Sequence, residues 1–182
     1  KYQLKKGGKY YTTRNGTSLI AFKIGENNTS DYSFNITASH GDSPTFKVKP
    51  NNNIDIGKYQ KVSVEAYGGM LCSTWFDRPL SIAGRVSVSS EKGIDNRLVN
   101  IDRDLLVIPN MAIHMNRMAN EGFKYNLAID MQPMMYSQEQ TSLTKILAEE
   151  LDTKEEDIVC QDLFSYNRNK STLVRENNDI FL

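Results

Sequence analysis

The sequence holds 182 residues, 39% of them hydrophobic and 24% charged, with 22 basic and 22 acidic side chains. That length fits one ordinary domain or two small ones and is enough to bury a real core. A formal net charge of zero gives no bulk electrostatic case for nucleic acid or an anionic membrane as a partner.

No apolar run approaches the roughly 20 residues that a membrane-spanning helix needs. The opening stretch, Lys1 to Lys6, lacks the apolar centre of a signal peptide. Cys72 and Cys160 are too few for a disulfide framework and read as free thiols of a reducing, cytoplasmic compartment.

Residues 9–25 predict a β-hairpin. Tyr10-Tyr11-Thr12-Thr13 is rich in strand formers, Asn15-Gly16 favours the positive φ of a tight hairpin turn, and Ser18 to Ile24 makes the return strand. Gly25 to Asp31 is a polar loop. Tyr32 to Ala38 alternates and predicts a strand that ends just before His40. Pro50-Asn51-Asn52-Asn53 is polar and Pro-led and predicts a boundary.

Beyond it, Tyr59 to Glu65 and Ile82 to Ser89 predict strands, with a turn at Glu91-Lys92-Gly93. Leu98 to Ile101 and Leu105 to Ile108 continue the β pattern. Pro109 opens a predicted short helix that sets Met111, His114, Met115 and Met118 on one face. Leu127 to Met131 predicts a strand. Ser137 to Leu151 predicts the main helix, with Leu143, Ile146, Leu147 and Leu151 as its apolar stripe and Ser137 with Gln140 as a capping box. Ile158 to Tyr166 and then Ser171 to Leu182 read as β. Gly68-Gly69 predicts a tight turn. The acidic run around Glu149-Glu150 and Glu155-Glu156-Asp157 reads as a solvated helix end and loop.

His40 and Asp42 stand two residues apart, a spacing that puts both on one side of an extended segment. A metal-bound imidazole usually donates its other N–H to a carboxylate or carbonyl. On spacing alone the pair is equally an ordinary surface-loop His beside a turn Asp. His114 on a Met-lined face is, on the same terms, a packed core histidine. Asp77 and Arg78 fit a structural ion pair or the lining of a cleft, and Trp75 and Phe76 fit the core.

Ala38-Ser39-His40-Gly41-Asp42-Ser43-Pro44, followed by Val48-Lys49-Pro50, resembles the first metal-ligand segment of the aspartyl aminopeptidase / aminopeptidase I family of zinc metallopeptidases. Tyr67-Gly68-Gly69-Met70-Leu71-Cys72-Ser73-Thr74-Trp75-Phe76-Asp77-Arg78, running on to Val86, is similar to that family's Trp-containing signature. Leu106 to Arg117, Glu156 to Val159 and Asp162-Leu163-Phe164 resemble later family segments in the same order. Gly41 stands where the family usually has Thr, and Met70 and Cys72 stand where Gly and Trp are common.

The resemblance implies that His40 is a zinc ligand, that Asp42 orients it, and that His114 reaches a neighbouring subunit's active site. It implies a pair of zinc ions, peptide substrates from which N-terminal residues are removed, and a homo-oligomer that tends toward a large symmetric shell. It places the remaining metal ligands beyond Leu182, so this chain alone is expected to be inactive. The implied fold class is α/β: a partial catalytic domain of mixed sheet and helices in residues 1–53 and 152–182, with exposed apolar edges, and an inserted β-rich oligomerisation domain in residues 54–151. A non-catalytic oligomerisation or binding module, and an unrelated β-rich domain with an incidental His-x-Asp, remain the competing readings.

Overall fold

The computed structural model describes residues 3–27, 33–136, 141–174 and 180–181. The chain divides into two compact units, Lys1–Gly41 and Asp42–Leu182.

The first unit is built on one hairpin. Strand β1 (Lys9–Arg14) pairs antiparallel with β2 (Ser18–Lys23), from Lys9 opposite Lys23 to Arg14 opposite Ser18. The turn forms as its residues dictate: Asn15 and Gly16 take φ of 53° and 68°, matching the twist of the flanking strands. Tyr10 stacks on its cross-strand partner Phe22 at 5.6 Å. Two strands cannot cover their own faces. Tyr11, Leu19 and Ile20 accordingly remain 68%, 65% and 65% exposed.

The strand expected from Tyr32 to Ala38 does not form in the described part of that segment. Residues 33–44 are irregular, and Phe34 and Ile36 are 82% and 86% exposed. Alternation marks a strand only where a ladder partner exists, and among the described residues this segment has none.

The second unit is a six-stranded sheet in the order β6-β5-β8-β3-β4-β7. Its strands are β3 (Thr45–Asp55), β4 (Tyr59–Tyr67), β5 (Leu80–Ser90), β6 (Gly93–Asn100), β7 (Met134–Tyr136) and β8 (Ile158–Asn167). Every neighbouring pair is antiparallel. Two-residue strands β9 (Leu173–Val174) and β10 (Ile180–Phe181) pair separately. The described residues are therefore mostly sheet with few helices.

One face of the sheet carries the core. Phe46 and Val48, Val62 and Val64, Val86 and Val88, and Leu163 alternate with more exposed neighbours, as period-two strands require, and Leu80 and Ile82 share the core face with buried Ser81 between them, its hydroxyl donating to the Ile101 carbonyl. Leu106, Ile108, Met131 and Met135 join the same cluster, as do Leu143, Ile146 and Leu147 from helix α1 (Leu143–Glu150). The helix begins later than expected, at Ser142, whose hydroxyl accepts the Lys145 N–H at 3.0 Å. The capping box expected at Ser137 and Gln140 lies outside the described residues.

Gln132, nearly fully buried, completes the ladder of β4. Its Oε1 accepts the Val64 N–H at 2.7 Å, and its Nε2 donates to the Val64 and Leu127 carbonyls at 3.1 and 3.0 Å. A side-chain amide stands there in place of a strand, so no main-chain group of Val64 is left unpaired.

Other expectations need correction. Pro50–Asn53 is not a break between elements but an irregularity inside β3, where the register with β4 shifts between Val48 and Asn53. Proline has no N–H to give the ladder, and a bulge absorbs it. Leu105 to Ile108 makes isolated bridges rather than a strand, joining Leu80, Met134 and Phe76. The segment after Pro109 forms turns instead of a helix. Asp77 Oδ1 accepts the Asn110 N–H at 2.8 Å, and Asn110 Oδ1 accepts the Met111 N–H at 3.0 Å. Leu127 to Met131 is likewise turn, with Asp130 Oδ2 accepting the Asn126 N–H and Asn126 Oδ1 accepting the Ala128 N–H.

Candidate metal and active-site residues

His40 lies in the irregular end of the first unit, with an exposed side chain. Asp42 opens the second unit and is also exposed. Its Oδ2 accepts the hydroxyl of Tyr67 at 3.0 Å. Tyr67 is the last residue of β4 and sits opposite Thr45, the first of β3, so the end of the β3–β4 ladder fixes its backbone. Its ring meets the Phe164 ring edge-on at 5.7 Å. The chain turns at Gly68 as expected, with φ of 79°, and a Cβ there would come to 3.5 Å from the Pro44 Cα.

From Asp42 onward, then, the structure brings the two sequence blocks together. The hydrogen bond to Asp42 and the nearby carboxylate charge both push the Tyr67 phenol above its ordinary value, because each favours the protonated, donating form.

Beside this contact, Lys47 lies 5.5 Å over the Phe164 ring and 3.1 Å from Asp162, whose other oxygen is 3.6 Å from Arg85. These half-buried charges tie β3, β8 and β5 on the face opposite the core.

The Trp-containing block packs on the core and its neighbouring loops. Trp75 packs edge-on to buried Phe46 at 4.9 Å, and Phe76 packs against Tyr125 at 5.2 Å. Asp77 fastens the loop after Ile108 through Asn110, and its own N–H donates to the Ile108 carbonyl at 2.9 Å. Asp77 and Arg78 form no ion pair with each other among the described residues.

His114 is exposed, in a turn, and is not a core histidine.

Among the described residues no three His, Cys, Asp or Glu side chains gather to hold a metal ion. Imidazole and carboxylate are donors of the kind zinc takes. They fit one corner of a site and do not close it. Cys72 and Cys160 are free thiols and belong to no such cluster.

Tyr67 is the site residue that sequence reasoning passed over. It stood inside the quoted signature without a role, and its link to Asp42 depends on strand pairing that spacing alone does not give.

Residues 1–181 match the model of the aminopeptidase I zinc metalloprotease family (M18). A probable M18 family aminopeptidase 2 of Clostridium acetobutylicum is 44% identical over 187 residues, covering 98% of this chain and 43% of its own length. The cryo-EM structure of the Ape4 and Nbr1 complex matches with a TM-score of 0.88 at 35% identity, over 97% of this chain and 38% of that one. The S. cerevisiae mApe1 dodecamer matches with a TM-score of 0.73 at 26% identity, over 95% and 40%.

The chain belongs to the aminopeptidase I zinc metalloprotease (M18) family. It spans less than half the length of the relatives it matches.

Proposed function

We propose that the whole protein is a zinc-dependent aminopeptidase that removes N-terminal residues from peptides, and that this chain supplies the opening part of its active site. The observation that carries the reading is the family match over residues 1–181, whose two most specific sequence blocks meet at the Asp42–Tyr67 hydrogen bond.

In this reading His40 offers one imidazole nitrogen to zinc, and Asp42 accepts the proton-bearing nitrogen of the same ring, fixing its orientation. When bound, a zinc pair supplies Lewis acidity, making a water more acidic and polarising the scissile carbonyl. His114 acts across a subunit interface, a role that its exposed position in a turn accommodates. The protein works as a homo-oligomer, in keeping with the dodecamer among its structural relatives, and the two free thiols suit a cytoplasmic enzyme.

The division of the chain belongs to the same proposal. Residues 1–53 and 152–182 belong to a partial catalytic domain, and residues 54–151 form an inserted β-rich oligomerisation domain.

The test is an assay of the full-length protein for release of N-terminal residues from short peptides, before and after zinc chelation and with His40→Ala. Activity that falls to background in both cases is expected. A fully active His40→Ala protein would remove the ligand assignment. No peptidase activity in a zinc-replete, folded full-length protein would favour the oligomerisation-module reading.

A further inference from the structure

The phenol of Tyr67 is braced by the strand that carries it and by a neighbouring ring. Its backbone closes the β3–β4 ladder opposite Thr45, and its ring is braced edge-on by Phe164 at 5.7 Å. Asp42 sits in irregular, exposed chain outside that ladder. A side chain in that setting samples several staggered rotamers unless something selects one. The Tyr67 hydroxyl, 3.0 Å from Oδ2, is such a selector, because a donor held in place confines the carboxylate plane.

We propose that Tyr67 is a positioning residue of the zinc site, acting through Asp42. The inference rests on the reading of His40 and Asp42 given above. Its physical content is that the tyrosine hydroxyl sets the Asp42 carboxylate before metal arrives, so less ordering of that carboxylate remains when metal binds. Partners one step behind a metal ligand typically contribute about 10–100-fold in metal affinity. A group one step further back should contribute less, about 3–10-fold.

The experiment measures zinc affinity of the full-length protein by competition with a chromophoric chelator, for wild type, Tyr67→Phe, Asp42→Asn and the double variant. Thermal melts of the metal-free proteins accompany it. Tyr67→Phe keeps the ring on Phe164 and deletes only the hydroxyl. The expected result is about 3–10-fold weaker zinc binding for Tyr67→Phe and about 10–100-fold for Asp42→Asn, with the double variant no weaker than Asp42→Asn.

The metal-free melt of Tyr67→Phe should match wild type. Wild-type affinity in Tyr67→Phe alongside weakened Asp42→Asn would overturn the role of Tyr67 and leave the zinc reading standing. Additive losses in the double variant, or a lowered metal-free melt in Tyr67→Phe, would overturn it too, since either result marks a role independent of Asp42. Wild-type affinity in Asp42→Asn would overturn the underlying reading itself.

Discussion

Arg168 shows how a single surface side chain can staple distant segments. Its Nη1 pairs with Asp102, its Nε bonds Asp104 at 2.7 Å, and its backbone N–H donates to the Pro79 carbonyl at 3.0 Å. The guanidinium holds the Asp102 carboxyl below its ordinary value of 3.8, first through the hydrogen bond and then through its charge. A depressed carboxylate contributes stability that is present above the unfolded-state value and lost as pH falls through the folded-state one.

Arg168→Ala should therefore lower the urea midpoint at about pH 6, and the gap from wild type should narrow toward about pH 2.5. A gap that stays constant with pH would contradict the ion-pair explanation.

At this scale the sequence was partly legible. His40 and Asp42 could be singled out because their chemistry is local to two residues. The Tyr67 partner of Asp42, and the loop-fastening work of Asp77, could not be, since both depend on which strand ends lie side by side.

Among the elements, local chemistry decided what could be read. The Asn15-Gly16 hairpin, β4, β5 and β8 followed from turn residues and alternation. The segments 109–118 and 127–131 did not follow, because Asn110, Asn126, Asp130 and Asp77 offer side-chain oxygens to the backbone and outcompete helix or ladder. Helical spacing of methionines carries no information about that competition.

Gly84 was also silent in the sequence. It occupies a core-face position of β5, paired between Leu163 and Val99. A Cβ there would run into the Asp162 carbonyl and come within 2.9 Å of the Leu163 Cα. Both obstacles are backbone, so they cannot swing aside. Gly84→Ala should cost about 1–3 kcal/mol, by analogy with overpacked cores. Chemical denaturation would check it, and an unchanged midpoint would show that β5 and β8 separate more easily than this packing implies.

For the whole molecule, the six-stranded unit leaves its β6 edge open, with Ile94 and Leu98 67% and 84% exposed. His114 is exposed as well, as a residue must be to act outside its own subunit. If it completes a neighbour's site, mixed oligomers of His114→Ala and His40→Ala subunits should regain activity that neither variant has alone. An assay after dissociation and reassembly checks this, and no recovery would count against the role. The antiparallel sheet and its core were legible as a β-rich region. Its extent was not, because β8 returns from far along the chain to sit between β5 and β3.

The most direct measurement is the zinc content per chain of the full-length protein, wild type against His40→Ala, purified alike and analysed by elemental mass spectrometry. The wild type should carry zinc, and His40→Ala should carry less of it per folded chain. Equal zinc content and equal retention against a chelator would contradict the assignment of His40 as a ligand.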